Sequence, residues 1–294
     1  MPKELIVISI PAYNEENTLP KVIDDIKKIM NENNYNYKIL VVNDGSKDKT
    51  EEIAEEKGAI VFSHPYNLGL SETFKTEMKK CLELNPDIIV HTDADGQYPS
   101  HYIPSLIKKV QEGYDLVLGS RFGQGQYSGS FVKKFGNIAF AKVFSSLLKT
   151  KIRDTTTGFR AFRKQVAQLP IINDFTYTQE QLIRAGKAKM RIAEIPITTN
   201  KTRESKLFKN SLDYALKAWI NILRIYRDFA PLKFFGSIGL TFIFFGFLIG
   251  LRLLYFFITS GKVGHIPSQV LTMLLIVVGM QIVLFGFFAD SVRK

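Results

Sequence analysis

The stretch DIIVHTDADGQYP at residues 87–99 decides the fold class, because a short apolar run ends in two aspartates. Residues 87–92 have the length and composition of a buried strand. In an extended segment every second residue lies on one face, so we expect Asp93, Asp95 and Gln97 to converge. Two carboxylates and an amide oxygen suit Mg²⁺ or Mn²⁺. A plain Asp-Gly turn, with its carboxylates bonded to local amides, is an equally good interpretation.

Outward from this stretch, short apolar runs alternate with helical patterns. The predicted strands are residues 5–10, 38–43, 59–62, 87–92 and 115–120. The predicted helices between them are residues 18–30, 49–58 and 70–84. This alternation predicts an α/β fold with a doubly wound, mostly parallel sheet.

Polar residues follow most of the predicted strands. Pro11 to Glu16 follow the first strand, Asp44 follows the second, and Arg121 follows the fifth. Sheets of this class bind ligands beyond the carboxyl ends of their strands. Together with the two aspartates, these residues predict an acidic crevice with a basic rim.

Two long apolar segments occupy the C-terminal part of the chain. Residues 234–250 contain no charge, and residues 270–288 contain Gln281 as their one strongly polar residue. About 20 apolar residues cross a bilayer, so we expect transmembrane helices at about 233–258 and 268–290. A buried helical hairpin in a soluble core is the alternative interpretation.

The net charge of +11 is concentrated beside these apolar segments. Residues 1–200 hold 27 Lys/Arg and 24 Asp/Glu, whereas the rest of the chain holds 12 and 4. Basic residues flanking membrane spans favour the cytoplasmic side. We therefore expect a multi-pass protein of the cell membrane with its large N-terminal domain in the cytoplasm. Nucleic-acid binding is the less favoured interpretation of the basic charge, and we expect no nucleic-acid partner.

Residues 211–235 carry apolar residues at helical spacing with lysine and arginine among them. This pattern predicts an amphipathic helix in the headgroup region of the membrane, and an ordinary domain helix is the alternative. The expected organisation is a globular domain at 1–205, interfacial helices at 206–232 and a two-helix transmembrane hairpin at 233–294.

Six motifs in order resemble those of family 2 glycosyltransferases, and most closely the dolichyl- and polyprenyl-phosphate sugar transferases. They are PAYNEENTLPKVI (11–23), VVNDGSKDKT (41–50), NLGL (67–70), TDADGQYP (92–99), GSRF (119–122) and DTTTGFRAFRK (154–164). The resemblance spans about residues 5–210. It implies a GT-A-type fold and metal-dependent transfer of a hexose, with inversion, from a UDP- or GDP-sugar to dolichyl or polyprenyl phosphate. It leaves the sugar open and allows a homo-oligomer.

The resemblance also implies roles for individual residues. The implied nucleotide-binding residues are Pro11, Ala12, Tyr13, Glu15, Asp44 and Asp93. The implied metal ligands are Asp93, Asp95 and Gln97, and the implied acceptor-phosphate ligands are Arg121, Lys133 and Lys134. Asp95, Arg121, Arg203 and Lys206 are the expected catalytic residues, with Glu180 and Ser205 as further site residues.

One loop departs from the pattern of the family. Relatives usually carry a glycine before Ser-Lys in a loop that closes over the diphosphate, and NKTRESKLF (200–208) lacks that glycine. Either Lys201 or Arg203 is then the cation expected to contact the diphosphate.

Two other functions are compatible with such a chain. Processive polysaccharide synthases carry Gln-x-x-Arg-Trp after the donor domain, but the single tryptophan here, Trp219, lies in KAWIN. A non-catalytic membrane protein could use the same fold for binding. The intact Asp-x-Asp and nucleotide motifs favour the enzyme.

Overall fold

The computed structural model describes residues 3–122, 152–172, 177–200, 220, 223–224, 226–262 and 266–292. The chain forms two compact units, Met1–Ala215 and Leu216–Lys294. The predicted domain boundary at residue 205 lies outside the described residues, so the three-part division stays a prediction.

The described part of the first unit contains one seven-stranded sheet. Its strands are β1 (Leu5–Ala12), β2 (Asn36–Asn43), β3 (Ile60–Ser63), β4 (Ile88–His91), β5 (Leu116–Ser120), β6 (Arg160–Arg163) and β7 (Ile192–Pro196). Their spatial order is β3-β2-β1-β4-β6-β5-β7. All neighbours are parallel except β6, which is antiparallel to both β4 and β5. The predicted α/β class with a mostly parallel sheet is confirmed.

Helices connect and cover these strands. They are α1 (Leu19–Glu32), α2 (Thr50–Glu56), α3 (Leu70–Glu83), α4 (Ile103–Gln111), α5 (Lys164–Ala167) and α6 (Tyr177–Lys187). In α1, apolar residues three to four positions apart face the sheet, and Ile23, Ile26 and Met30 are fully buried. They pack in the same core as Ile8 and Ile10 of β1. The spacing of apolar residues in the sequence therefore predicts the buried face of α1 correctly.

The sheet reverses its strand order at β1, because β2 lies on one side of β1 and β4 lies on the other. A crevice at the carboxyl ends of two strands opens at such a reversal, and it is the usual ligand site of a doubly wound sheet. The loops after β1, β2 and β4 therefore meet where the sequence places its acidic residues.

The sequence analysis does not predict β6, the antiparallel strand between β4 and β5. Its four residues, Arg-Ala-Phe-Arg, have charged residues at both ends and so lack the apolar run of a buried strand. Arg160 is nevertheless only 1% exposed, because its guanidinium donates hydrogen bonds to neutral oxygens of Thr178, Gln181 and Thr157.

The second unit contains two long helices, α7 (Pro231–Ser260) and α8 (Ile266–Ser291). Their most apolar stretches have mean hydropathies of 2.1 and 2.5, and only 11% of each stretch is buried. A core helix of a soluble protein would be mostly buried, so the low burial favours the predicted membrane spans over a buried hairpin. Both helices are long and apolar enough to span a membrane.

Glycines bring α7 and α8 together. A Cβ atom on Gly239 would lie 2.6 Å from the carbonyl oxygen of Gly279, and a Cβ on Gly279 would lie 2.7 Å from that of Gly239. Gly246 and Gly286, each seven residues further along, also face the opposite helix: an added Cβ would lie 2.8 Å from an Ile276 side-chain atom and 3.0 Å from the Phe235 Cβ, respectively. Small residues at this spacing allow backbone contact between transmembrane helices.

Candidate active site

The two aspartates of the Asp-x-Asp motif lie in a tight turn directly after β4. Gly96 has a φ of +72°, and the Gln97 amide donates a hydrogen bond to Asp95 Oδ1 at 2.9 Å. The segment therefore forms the Asp-Gly turn that was the alternative interpretation of the sequence, and the extended-strand argument that placed Gln97 on one face with the aspartates does not hold. Gln97 as a metal ligand stays a prediction without that argument.

Asp93 lies in an environment that disfavours its negative charge. Burial raises the pKa of Asp93 to about 6, and the Asp95 and Glu77 carboxylates add to the shift, while His91 and Arg121 oppose it. A divalent cation between Asp93 and Asp95 would remove this penalty. In the described part of the chain no group of three His, Cys, Asp or Glu side chains could hold a metal. Two carboxylates fit a Mg²⁺ or Mn²⁺ ion that takes its other ligands from phosphate and water.

Gly158 forms one wall of the site. A Cβ atom added to Gly158 would lie 3.0 Å from Asp93 Oδ1. This is tighter than an ordinary contact, so a residue with a side chain would crowd the carboxylate. Three buried side chains hold this backbone from behind, and we call them the Gly158 cradle: His91, Tyr98 and Arg160.

Each member of the Gly158 cradle makes a different contact. His91 Nδ1 donates to the Gly158 carbonyl oxygen at 2.7 Å, and the Gly158 amide donates to the Tyr98 hydroxyl at 3.3 Å. Arg160 donates to the carbonyl oxygen of Thr157, the preceding residue. The Tyr98 ring also stacks on Phe159, with 5.2 Å between the ring centroids. The Thr-Thr-Gly-Phe segment is thus fixed beside the Asp-x-Asp turn.

The loops after β1 and β2 are joined by reciprocal hydrogen bonds. The Asn14 amide donates to Ser46 Oγ at 2.9 Å, and the Lys47 amide donates to Asn14 Oδ1 at 2.8 Å. The Glu15 amide donates to Thr50 Oγ1 at 2.8 Å. These hydrogen bonds hold the loops after β1 and β2 together at the edge of the crevice.

The predicted nucleotide-binding residues of the first motif differ in exposure. Pro11, Ala12 and Glu15 are buried, and the Glu15 carboxylate accepts a hydrogen bond from Thr18 Oγ1 at 2.6 Å. Tyr13 is 42% exposed. Its ring is therefore the one accessible to a base among these four residues.

Asp44 organises a neighbouring loop. Its carboxylate accepts hydrogen bonds from the Leu68 and Gly69 amides at 2.8 and 2.9 Å, and His64 Nδ1 lies 2.8 Å away. The motif NLGL is thus tied to Asp44. A Cβ on the next residue, Gly45, would lie 2.4 Å from the carbonyl carbon of Tyr66, so the two loops cross at that glycine.

Arg121 is fixed by a buried carboxylate. Its Nε and Nη2 atoms donate to the two oxygens of Asp154 at 2.7 and 2.9 Å, and Nη2 also donates to Thr156 Oγ1 at 2.7 Å. Burial alone would raise the pKa of Asp154, but Arg121 outweighs it and the pKa is lowered. The predicted phosphate ligand is therefore also half of a structural ion pair.

Glu180 is buried in α6 and is engaged by its neighbours. Its two carboxylate oxygens accept hydrogen bonds from Arg184 and from the Ile172 amide, at 2.6 to 3.0 Å. Its role as a site carboxylate stays a prediction. The remaining predicted residues lie outside the described residues: Lys133, Lys134, Lys201, Arg203, Ser205 and Lys206.

The start of the predicted diphosphate loop lies on the Asp-x-Asp turn. The Asn200 amide donates to the Gln97 carbonyl oxygen, and Asn200 Nδ2 donates to the Gly96 carbonyl oxygen, both at 3.0 Å. Residues 201–208 follow directly in the chain. Asn200 thus places the beginning of that loop beside Asp95.

Sequence reasoning missed the residues that support the site. His91, Gly158, Asp154 and Glu77 are not among the predicted site residues. The signal for two of them was present, because Asp154 and Gly158 belong to the quoted motif DTTTGFRAFRK. Glu77 lies in an ordinary amphipathic helix and carries no local signal.

Comparison with known proteins identifies the family. Residues 7–169 match the model of glycosyl transferase family 2. The chain belongs to this family. It is 33% identical over 201 residues to a dolichyl-phosphate hexose transferase of Haloferax volcanii, a match covering 65% of this chain and 81% of that protein.

Two further known proteins are similar to this chain. A UDP-N-acetylglucosamine–dolichyl-phosphate N-acetylglucosaminyltransferase of Methanococcus voltae is 29% identical over 252 residues, covering 76% of this chain and 97% of that protein. Glucosyl-3-phosphoglycerate synthase of Mycobacterium tuberculosis, crystallised with Mn²⁺, UDP and phosphoglyceric acid, has a TM-score of 0.59 at 22% identity. That match covers 74% of this chain and 78% of the synthase, and it shows a shared GT-A-like fold.

Proposed function

We propose that this glycosyltransferase moves a hexose from a nucleoside-diphosphate sugar to dolichyl or polyprenyl phosphate at a membrane surface. The observation that carries the proposal is the Asp93–Asp95 pair at the strand-order reversal of a family 2 domain whose chain ends in two membrane-length helices. Relatives named as dolichyl-phosphate sugar transferases support the acceptor.

The donor would lie in the crevice between the loops after β1, β2 and β4. Tyr13 has the exposure needed to stack on a base. The loop that carries it is held by the hydrogen bonds of the Asn14 and Glu15 amides. Asp44 acts through the loop of Leu68 and Gly69, which its carboxylate holds. We assign nucleotide binding to these loops.

Asp93 and Asp95 would hold Mg²⁺ or Mn²⁺, which when bound supplies positive charge to the leaving diphosphate. The chain's own residues position the reactants. Asn200 sets the start of the loop that carries Arg203 and Lys206, the proposed cations for the diphosphate.

The acceptor phosphate is anionic at neutral pH and needs no strong general base. The protein contributes mainly by holding the two substrates in line, and attack opposite the leaving group inverts the anomeric centre. Arg121, held by Asp154, offers a charge of fixed orientation on the rim, and Lys133 and Lys134 are the further proposed phosphate ligands. Charge-assisted hydrogen bonds of this kind are strong.

The membrane orientation follows from the distribution of charge. Lys233 precedes the first span and Arg293 and Lys294 follow the second, so we place the N-terminal unit and the C-terminus on the cytoplasmic side. Protease added to right-side-out membrane vesicles should then leave the N-terminal unit intact. Digestion of the N-terminal unit in sealed vesicles would show the opposite orientation.

A donor screen tests the function. Detergent-purified full-length protein is incubated with dolichyl phosphate, Mn²⁺ or Mg²⁺, and labelled UDP-glucose, UDP-N-acetylglucosamine or GDP-mannose in separate reactions. We expect metal-dependent label in the organic phase from one donor, and the donor that gives it names the sugar and the nucleotide. No lipid label from any donor, with nucleotide binding intact, would contradict the proposal.

Two controls separate the alternatives. Phosphoglyceric acid, the ligand of the structural neighbour, replaces dolichyl phosphate in a parallel reaction and should yield no product. The lipid product should carry one sugar, because the chain lacks the Gln-x-x-Arg-Trp motif of processive synthases. A ladder of longer glycans would favour the processive synthase instead.

A further inference from the structure

Three fully buried polar side chains lie next to one another in the N-terminal unit: Ser9 of β1, Glu77 of α3 and His91 of β4. The Ser9 hydroxyl donates to Glu77 Oε1 at 2.6 Å, and Glu77 Oε2 lies 3.3 Å from His91 Nε2. Burying a carboxylate and an imidazole costs free energy that apolar residues at the same positions would avoid. Core packing alone therefore does not explain this set.

The contacts lead from this set to the proposed metal site. A carbonyl oxygen can only accept a hydrogen bond, so the 2.7 Å contact with the Gly158 oxygen puts a proton on His91 Nδ1. The opposite ring nitrogen, Nε2, lies 3.3 Å from Glu77 Oε2, a buried contact that is close but does not have hydrogen-bond geometry. Gly158 in turn lies beside Asp93: a Cβ atom added to this glycine would lie only 3.0 Å from Asp93 Oδ1.

We propose that His91 is a positioning residue for the metal site, acting through its hydrogen bond to the Gly158 carbonyl oxygen. This bond fixes the Gly158 backbone beside the Asp93 carboxylate, and Glu77 lies next to the other side of the His91 ring. Residues that orient a metal ligand without touching the metal typically change metal affinity about 10- to 100-fold. The inference rests on the proposed metal site, but not on the identity of the acceptor.

Two substitutions of His91 separate positioning from packing. The side-chain amide of His91→Asn places a donor near the position of Nδ1 and retains the bond to Gly158. The longer His91→Gln places its amide near Nε2, which retains the contact with Glu77 and loses the bond to Gly158. Both remove the ring from the same buried position, so they match each other as packing defects.

The readout is Mn²⁺ binding to the full-length protein in detergent, followed by the electron paramagnetic resonance of free Mn²⁺. We expect His91→Gln to weaken Mn²⁺ binding about 10- to 100-fold, while His91→Asn stays within about threefold of the wild type. Equal weakening in both variants, or no weakening in His91→Gln, would overturn the role of His91.

Tyr98→Phe keeps the inference testable if the His91 variants do not fold. It retains the ring stacked on Phe159 and removes only the hydroxyl that accepts the Gly158 amide. We expect severalfold weaker Mn²⁺ binding by the folded variant, and unchanged binding would count against the inference. Absence of Mn²⁺ binding by the wild type would overturn both this role and the proposed metal site. Failed transfer to dolichyl phosphate with Mn²⁺ binding intact would overturn only the proposed acceptor.

Discussion

In the N-terminal unit, large apolar side chains such as Ile8 and Phe74 are fully buried, and buried polar groups such as Asp154 are paired. In the helices α7 and α8 the pattern is reversed. Their buried residues are Pro231, Gly239, Gly246, Gly279 and Gly286, whereas phenylalanines such as Phe244 and Phe287 are more than half exposed. The first pattern is that of a domain in water, and the second suits a surface covered by lipid.

The difference shows that burial has to be interpreted together with the surrounding solvent. In water the apolar core supplies most of the stability, and a buried charge has to be compensated. In lipid, apolar side chains gain little from facing one another, and close backbone packing through glycine takes over. Four substitutions test this comparison, beginning with the one expected to have the largest effect.

Asp95→Asn should separate chemistry from stability within the N-terminal unit. It retains the shape of the side chain and removes a charge from the proposed metal site, so we expect transfer to fall at least about 100-fold. The thermal midpoint should hardly change, because Asp95 is partly exposed. Sugar transfer and thermal unfolding are measured on the same preparation. Asp24→Asn, on the exposed face of α1, is the matched control and should retain activity. Full activity of Asp95→Asn would remove Asp95 from the metal site.

Arg121→Ala tests whether a buried charge in this unit depends on its partner. The substitution leaves Asp154, which is almost completely buried, without its bidentate cation, so we expect a loss of about 3 kcal/mol in the free energy of unfolding. Urea unfolding of the full-length protein in detergent measures this loss. Lys109→Ala breaks the exposed pair with Glu112 and should leave the stability almost unchanged, because solvent screens that pair. Equal effects of the two substitutions would contradict the buried-pair argument.

Gly45→Ala tests a close approach in the water-soluble unit. Gly45 has a φ of +68°, and an added Cβ would lie 2.4 Å from the backbone of Tyr66. Gly58 has a similar φ of +64°, but its nearest neighbour would be Lys27 Nζ at 3.6 Å. We expect Gly58→Ala to cost about 1 kcal/mol from backbone strain alone, and Gly45→Ala to cost about 2 kcal/mol more because the two loops must separate. Denaturant unfolding compares the two variants. Equal losses in the free energy of unfolding would show that the close approach of Tyr66 to Gly45 has no effect on stability.

Gly239→Ala applies the same test to the helical hairpin. An added methyl group would meet the Gly279 carbonyl oxygen at 2.6 Å, so we expect α7 and α8 to move apart at a cost of about 1–2 kcal/mol. Gly236→Ala, three residues away on the same helix, meets nothing within 4 Å and should be neutral or slightly stabilising. Thermal unfolding of the full-length protein in detergent distinguishes them. A hairpin that tolerates Gly239→Ala as well as Gly236→Ala would not be held by glycine packing.

Several parts of this architecture could be predicted from local sequence. The apolar runs predicted β1 to β5, and the spacing of apolar residues in α1 predicted its buried face. Both patterns depend only on residues that are close in the sequence. The positions of Asp44, Asp93 and Asp95 at strand ends predicted the edge of the sheet that carries the site. The two C-terminal apolar segments predicted the helices α7 and α8.

Other parts depend on residues far apart in the chain. The strand β6 escaped prediction because Arg160 is buried only through partners on α6 and at Thr157. The one-face argument for Gln97 failed because Gly96 adopts a positive φ and turns the chain. The bonds of Arg121 to Asp154 and of His91 to Gly158 join residues 33 and 67 positions apart.

The sequence by itself determined the α/β class, the strand ends that carry the acidic residues and the two membrane-length helices. It could do so because each follows from a short-range pattern of apolar and polar residues. Only the tertiary structure decided the antiparallel insertion of β6, the Gly158 cradle behind Asp93 and the pairing of Arg121 with Asp154. Buried polar groups take the partner that the fold brings to them, and no local pattern records which partner that will be.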